Sequence, residues 1–386
     1  MPLGGAFLLF KVTIHHNEEN VNKNIKSILL MFFSILIHKS TSILIQKYKS
    51  ILVYFETSIL LIKNLISPFN VVYYAYIESI LMRGVLLMTY VIALSNQKGG
   101  VGKTTNNVMF AITLATVFHK KVLHIDMDLQ ANSTFMLGMT FNKSNWPASI
   151  TRCLNDKDLS KGITHLTDNL DAIAGDSDFR NWGTWVADHI KGVHERTFYF
   201  KKLLDKIKDN YDFIFIDTPP ATDIKVDNIM VATDYVIVVQ ETKRFAFEGS
   251  KELTNTYLQT LYDDFSDEIN VQVAGILLVM LDKTHTVEQL IVDKTVKYFG
   301  KQNIFNAIIK SHLRLENYGE YGVQFEDYHD RAMFALFSDL YAELMERIDQ
   351  FENKGDIADD YVYTPKYLNG KKLTPLGKEI SADGLD

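Results

Sequence analysis

The sequence predicts an α/β protein with a mostly parallel sheet covered by helices on both faces. Three observations predict it: apolar runs recur from residue 88 onward, helical stretches separate them, and the first run leads into a glycine-rich turn. Alternating strands and helices are typical of parallel sheets, because each parallel connection needs a crossover. The predicted strands are Tyr90–Leu94, Lys121–Ile125, Phe213–Ile216, Tyr235–Val239 and Val271–Met280.

A glycine-rich turn follows the first strand. It reads Lys98-Gly99-Gly100-Val101-Gly102-Lys103-Thr104-Thr105, and Val108–Ile112 after it has the pattern of a helix. Such a turn between a strand and a helix lets backbone N–H groups surround a phosphate. We expect Lys103 to reach the β- and γ-phosphates of a nucleotide and Thr104 to bind Mg²⁺.

The turn departs from the usual P-loop pattern at its start. Gln97 stands where that pattern has its first glycine, and Lys98 adds a lysine at the loop entrance. A lysine at this point cannot easily fold back onto its own nucleotide. It is better placed to cross a dimer interface and contact a phosphate bound by a second subunit.

Carboxylates follow two of the predicted strands. Val122–Ile125 leads into Asp126 and Asp128, and Phe213–Ile216 leads into Asp217. Ligands bind at the carboxyl ends of strands in open parallel sheets, so these side chains are expected beside the glycine-rich turn. One carboxylate can hold a water on Mg²⁺ and another can orient the attacking water, which is most of what phosphoryl hydrolysis requires.

These motifs together resemble the ParA family of partition ATPases, within the wider group that includes MinD. The resemblance runs from about Met88 to Ile348 and depends on motifs that are specific only in combination. The matching segments are Asn96–Thr105, Asp126–Thr134, Asp217–Pro220, Asp234–Gln240, Glu248-Gly249, Gly275–Leu278, Met280–Asp282 and Arg314-Leu315.

The resemblance implies a P-loop NTPase of the deviant Walker A type, with ATP and Mg²⁺ as ligands. Lys98 matches the signature lysine that reaches the ATP of the other subunit, Lys103 the phosphate-binding lysine, and Thr104 the Mg²⁺ ligand. Asp128 matches the carboxylate that positions the hydrolytic water. Leu129 departs from the family, which usually has proline there.

Two further acidic residues are implied to lie near the metal, namely Asp126 and Asp217. The resemblance also implies a cytoplasmic, nucleoid-associated ATPase that dimerises with ATP and binds DNA non-specifically. A ParB-like centromere-binding partner would stimulate hydrolysis and release the dimer, which segregates plasmids or chromosomes. A MinD-like membrane-associated ATPase and an ATP-binding replication or copy-number regulator are the alternatives.

The DNA-contacting residues follow the family less closely. Arg314 occupies a family position, but Ser311 stands where another arginine is common, beside Lys310. At a second family position Thr284 replaces arginine, next to Lys283. We expect Lys283, Lys310 and Arg314 to contact DNA, with Lys294 and Lys297 as further candidates. Residues 88–386 are acidic overall, so DNA binding would need a local basic patch.

The first 87 residues differ from the rest in composition. They contain four Glu, no Asp and eight Lys or Arg, a net charge of +4, and since the whole chain carries −7, residues 88–386 carry −11. The leader is rich in Ile, Leu, Tyr, Phe, Lys and Asn. It repeats the triplet Ser-Ile-Leu, which begins at Ser27, Ser34, Ser42, Ser50, Ser58 and Ser79.

Three interpretations of residues 1–87 compete. A membrane anchor needs about 20 apolar residues, whereas the cleanest run, Ser27–Ile37, has eleven. An accessory DNA-binding region should contain a helix-turn-helix signal, which is not evident. We favour a third interpretation, in which AT-rich non-coding DNA has been translated and the native start is Met88. The intact mass of the natural protein tests this, since a species beginning at Met1 would contradict it.

The remainder is organised as an ATPase domain over 88–352 and a polar C-terminal tail over 353–386. Arg331–Ile348 has the spacing of a packed helix, and the tail is expected to be loosely held. Trp146, Trp182 and Trp185 are expected to belong to a satellite core. The single cysteine, Cys153, excludes an intrachain disulfide and fits a small core residue.

Overall fold

The computed structural model describes residues 89–281, 286–310, 313–367, 371–373 and 379–381. The leader over 1–87 and the candidate residues Lys283, Thr284 and Ser311 lie outside the described residues. Among the described residues, no helix has the length and apolar character that crossing a bilayer requires.

Eight strands form one sheet in the order β3-β4-β2-β5-β1-β6-β7-β8, and all neighbours pair in parallel except β3 with β4. The predicted mostly parallel α/β sheet is thereby confirmed. A separate antiparallel pair joins β9 and β10. The strands are β1 Tyr90–Ser95, β2 Val122–Asp126, β3 Thr164–Thr167, β4 Leu170–Ile173, β5 Phe213–Asp217, β6 Tyr235–Glu241, β7 Gln272–Leu281, β8 Ile309–Lys310, β9 Lys371–Leu373 and β10 Glu379–Ser381.

Helices cover the sheet, with short 3₁₀ turns between several of them and a π-helical segment over Leu253–Leu258. The α-helices are α1 Lys103–Thr116, α2 Asn132–Thr140, α3 Ile150–Asn155, α4 Trp182–His189, α5 Val193–Thr197, α6 Tyr199–Leu204, α7 Ile224–Ala232, α8 Arg244–Glu252, α9 Gln259–Phe265, α10 Thr286–Phe299, α11 Leu313–Tyr321 and α12 Tyr328–Lys354.

The central strands are buried on both faces, which explains why they read as continuous apolar runs. On one face α1 packs against β1, β2 and β5, and Phe110 stacks on Phe215 with ring centroids 5.8 Å apart. Helix α12 packs against α1 on that same face, where Phe337 meets Phe110 edge to face. This packing fixes the start of α1 at the carboxyl edge of the central strands.

The stretch between residues 140 and 197 contains structure that the sequence pattern did not reveal. The short strands β3 and β4 extend the sheet at its edge beyond β2. The satellite-core prediction is confirmed for Trp182, which is fully buried, whereas Trp146 and Trp185 are partly buried against the core. Cys153 is a buried core residue, as expected.

The predicted loose tail needs a correction over its first part. Residues 355–367 lie along α12, and Ile357 and Tyr363 are buried. The Tyr363 hydroxyl donates to the carboxylate of Asp339 at 2.8 Å, and the backbone N–H of Lys366 donates to the same oxygen at 2.6 Å. The polar composition of the segment concealed these contacts, because they are made by isolated aromatic and backbone groups.

Candidate functional site

The glycine-rich turn joins β1 to α1 in a conformation that needs glycine. Gly100 and Gly102 have φ angles of 74° and 82°, and Gly102 is the N-cap of α1. Residues with a Cβ rarely adopt such angles. The first turn of α1 contains no acidic residue, so its unpaired N–H groups and the positive end of its dipole are available to an anion. The predicted phosphate-binding loop therefore has the required backbone.

Lys103 is buried beneath this loop, with 6% of its surface exposed. Its ammonium donates to the carbonyl oxygens of Asn96 and Lys98, each at 3.2 Å. Burial lowers the pKa of Lys103, and the nearby carboxylates of Asp217 and Asp128 oppose that shift. The lysine is thus a desolvated cation held at the loop by weak neutral acceptors, which an anionic phosphate could replace.

Two carboxylates lie side by side at the ends of neighbouring strands. Asp126 and Asp217 are register partners in β2 and β5, and both are fully buried. Burial raises the pKa of each, and for Asp217 the charge of Asp126 adds to the rise. The pairing of β2 with β5 therefore brings these two carboxylates together, as their positions at the strand ends predicted.

The surroundings of Asp217 suit a divalent cation. Neither of its carboxylate oxygens has a well-formed hydrogen bond among the described residues, although the Thr104 side chain lies close enough to lower its pKa somewhat. A buried carboxylate without donors is unfavourable unless a cation or water meets it. Among the described residues, no three His, Cys, Asp or Glu side chains form a metal site by themselves. Mg²⁺ usually takes one or two protein ligands together with substrate phosphates, and Asp217 and Thr104 are side chains of the right kind.

Asp126, also predicted to lie near the metal, has a different environment from Asp217. Its Oδ2 accepts from the backbone N–H and the hydroxyl of Thr134, at 2.9 and 2.7 Å. Its Oδ1 accepts from the backbone N–H of Asp128 at 3.1 Å. The carboxylate therefore holds the loop that follows β2, and its place near the metal stays a prediction.

Asp128 lies on that loop at the edge of the site, with 8% of its surface exposed. Its Oδ1 accepts from the backbone N–H of Gln130 at 3.0 Å. The loop ends at Ala131, whose φ of 52° is unusual for a residue with a side chain. Leu129 lies on this loop, which the hydrogen bonds to Asp126 hold in place.

Sequence reasoning missed two residues of this loop support. The Thr134 hydroxyl accepts from the backbone N–H of Gly175 at 2.8 Å, which ties the end of β4 to the loop. A Cβ on Gly175 would lie 2.7 Å from the Asp126 carboxyl carbon, so only glycine fits. Thr134 lies inside a recognised motif, but no sequence signal connects Gly175 to the site, because β4 was not predicted.

The residues predicted to contact DNA differ in exposure and in the ion pairs that they form. Lys310 is exposed at the end of β8. Arg314, at the start of α11, is 24% exposed and forms ion pairs with Asp327 and, at 3.6 Å, with Asp330. These carboxylates form the capping box of α12, so the charge of Arg314 is largely balanced within the fold. The predicted DNA contact of Arg314 would have to compete with these ion pairs.

The other basic candidates lie on α10. Lys294 pairs with Glu248 at 3.4 Å and sits 4.4 Å above the centre of the Phe247 ring, and Lys297 is exposed. Lys294 is therefore partly neutralised in the same way as Arg314. Of these basic side chains, Lys297 and Lys310 are the better candidates for a phosphate contact.

Two variants separate the contribution of the Arg314 ion pairs to stability from the DNA contact predicted for Lys310. Arg314→Ala should lower the free energy of unfolding by about 1–2 kcal/mol, because two acidic residues at the start of α12 lose a partly buried counter-charge. Lys310→Ala should leave stability within about 0.5 kcal/mol and weaken binding of sheared DNA. Urea unfolding and DNA binding at low salt measure both. Equal stabilities of the two variants would show that the ion pairs contribute nothing.

The chain is similar to a known protein family and to curated partition proteins. A family model described as an AAA domain matches residues 89–271. The sporulation initiation inhibitor protein Soj of Bacillus subtilis is 30% identical over 264 residues, which cover 67% of this chain and 98% of Soj. The chromosome-partitioning ATPase Soj of Treponema pallidum is 31% identical over 241 residues, which cover 60% of this chain and 87% of that protein.

A solved structure with the same fold is that of a putative plasmid partition protein from Borrelia burgdorferi bound to AMPPNP. It superimposes with a TM-score of 0.53 at 21% identity, covering 68% of this chain and 99% of that one.

Proposed function

This chain belongs to the ParA family of partition ATPases, and from that premise we propose that its ATP-bound dimer holds DNA and releases it after hydrolysis. The process it serves is ATP-dependent partition of plasmids or chromosomes. The observation that carries the proposed mechanism is the buried cluster of Lys103, Asp126 and Asp217 beneath a glycine-rich turn. Such a cluster is unfavourable unless a charged ligand completes it.

ATP binding begins at the turn over Gly99–Thr105. The left-handed glycines let the backbone curve around the phosphates, and the start of α1 adds its N–H groups. Lys103 exchanges its two carbonyl acceptors for phosphate oxygens, which form stronger charge-assisted bonds.

Mg²⁺ would be held by Thr104 and Asp217, and it would supply charge neutralisation for the phosphates. Asp217 would gain a direct partner for buried oxygens that lack a well-formed hydrogen bond, in addition to the nearby charge of Lys103. Thr104 lies next to Lys103 at the start of α1, so one helix end positions both groups.

Asp128 is proposed to orient the water that attacks the terminal phosphate. Its loop is fixed by the three hydrogen bonds to Asp126, which keep its backbone in one conformation. Positioning of this kind accounts for much of the catalysis in phosphoryl transfer.

Dimerisation is proposed to depend on Lys98. The side chain is exposed at the loop entrance, while its backbone is held by hydrogen bonds within the chain. A second subunit facing this edge would offer the phosphate that Lys98 contacts, and a ParB-like partner would stimulate hydrolysis at the same site.

Asp128→Ala tests the proposed cycle. The variant should bind ATP and form a dimer that stays on DNA, with hydrolysis reduced by about 10²-fold, because the water loses its orienting group. Phosphate release and the rate of dissociation from fluorescent DNA after an excess of competitor measure this. Asp168→Ala, which removes an exposed carboxylate elsewhere, should behave like the unmodified protein. Rapid release of the Asp128→Ala dimer from DNA would contradict the assignment.

A further inference from the structure

Asn96 lies directly before the glycine-rich turn and is buried, with 1% of its surface exposed. Its amide nitrogen donates to the carbonyl oxygens of Val239 and Ala246, at 2.9 and 3.3 Å, and to the Ser250 hydroxyl at 3.1 Å. Its amide oxygen accepts from the backbone N–H of Lys98 at 2.8 Å. One side chain therefore connects the loop entrance to β6 and α8.

The bond to Lys98 has a specific consequence for the loop. The backbone of Lys98 is held from both sides, since its N–H donates to Asn96 and its carbonyl accepts from Lys103. The side chain of Lys98 is exposed, so no comparable burial holds it. The direction in which Lys98 leaves the loop is thus set by its backbone, and the Asn96 amide sets that backbone.

Gly249 on α8 leaves the space that Asn96 occupies. A Cβ at this position would lie 2.6 Å from the Asn96 amide oxygen and 3.6 Å from the backbone nitrogen of Lys98. Gly249 does not have a positive φ angle, so backbone conformation does not require glycine there. Close approach to Asn96 is the remaining physical reason for a glycine inside this helix.

We propose that Asn96 is a positioning residue that aims Lys98 at the nucleotide of a second subunit, and that Gly249 is needed to leave Asn96 in place. The inference rests on the proposed function, because it assumes that Lys98 acts across a dimer. It adds that α8, which follows β6, takes part in setting the geometry of the intersubunit contact.

Two variants test the inference by different routes. Asn96→Ala removes the side-chain amide. Gly249→Ala keeps the Asn96 amide, but the new Cβ on α8 pushes it out of position. Helix propensity favours alanine over glycine in α8, whereas the close approach of the new Cβ to Asn96 opposes folding, so retained nucleotide binding serves as the check that the variant is folded. Gly319→Ala is the matched control, because it makes the same change in helix α11, where a Cβ would meet nothing within 4 Å.

The measurements are binding of a fluorescent ATP analogue and the dimer fraction by light scattering with Mg²⁺ and a non-hydrolysable analogue. Both variants should bind nucleotide within about threefold of the unmodified protein and dimerise at least about tenfold more weakly, a change of about 1.4 kcal/mol. Gly319→Ala should match the unmodified protein.

Full dimerisation of Gly249→Ala and Asn96→Ala would overturn the inference while leaving the proposed function intact. Failure of the unmodified protein to dimerise would instead overturn the proposed function. Equal loss of nucleotide binding and dimerisation in both variants would assign Asn96 to the loop as a whole and would also overturn the inference.

Discussion

Replacing Lys103 with alanine is expected to weaken ATP binding by at least about 10²-fold. The ammonium is buried between loop carbonyls and lies near the carboxylates of Asp217 and Asp128. Without it, the phosphates of ATP would enter a buried site that contains carboxylates and no lysine. Loss of one partner of a buried charge pair typically costs about 3–5 kcal/mol, which corresponds to an affinity loss of about 10²- to 4 × 10³-fold.

Titration with a fluorescent ATP analogue in the presence of Mg²⁺ measures this loss. Lys98→Ala is the matched control, since it removes a lysine from the same loop but an exposed one. It should bind nucleotide nearly as well as the unmodified protein and fail only in dimerisation. If Lys103→Ala bound ATP with unchanged affinity, the phosphate site would have to lie elsewhere.

Asp217→Asn should change stability and activity in opposite directions. Without ligands, the fully buried carboxylate lies beside Asp126 and lacks well-formed hydrogen bonds, so a neutral amide should stabilise the fold by about 1–3 kcal/mol. With ATP and Mg²⁺, the same change removes the proposed metal ligand. Hydrolysis should fall by at least about 10²-fold, because the metal's contribution amounts to several kcal/mol.

The pH dependence of stability follows from the same carboxylates. Burial raises the pKa of both Asp126 and Asp217 in the folded chain. The folded state therefore holds more protons than the unfolded state above a pH of about 4, the ordinary value for aspartate. Stability contributed by their protonated forms is lost as the pH rises through the folded-state pKa values. Asp217→Asn should weaken this loss.

Asp212→Asn is the control, because it makes the same change next to the other end of β5. Asp212 is partly exposed and accepts a hydrogen bond from the backbone N–H of Lys121. It should give no gain in stability and no loss of hydrolysis. Urea unfolding between pH 5 and 8 and steady-state phosphate release measure these effects. A less stable Asp217→Asn protein would show that the nearby charge of Lys103 compensates the buried carboxylate, and it would contradict this prediction.

The central sheet could be predicted because its strands are buried on both faces. Each predicted strand coincides with an observed one to within two residues at either end, as for Phe213–Ile216 within β5. The strands β3 and β4 escaped prediction because they are four residues long, and β3 at the sheet edge is only partly buried. Strand β8 has only two residues, which is too short for any apolar pattern.

Part of the candidate site could likewise be predicted from the sequence, and part could not. Lys103, Thr104 and Asp217 could be identified because a phosphate loop and a strand end fix them locally in the sequence. The loop-holding role of Asp126 and the ion pairs of Arg314 depend on partners brought together only by folding. The contact between Asn96 and Gly249 joins residues 153 positions apart in the sequence, and composition and periodicity carry no information about it.

The central claim is that two subunits close over ATP. Light scattering of the purified chain with Mg²⁺ and a saturating non-hydrolysable ATP analogue tests it most directly. We expect a species of twice the monomer mass with the analogue, a monomer with ADP, and a monomer for Lys98→Ala under both conditions. A chain that stays monomeric with the saturating analogue would contradict the account.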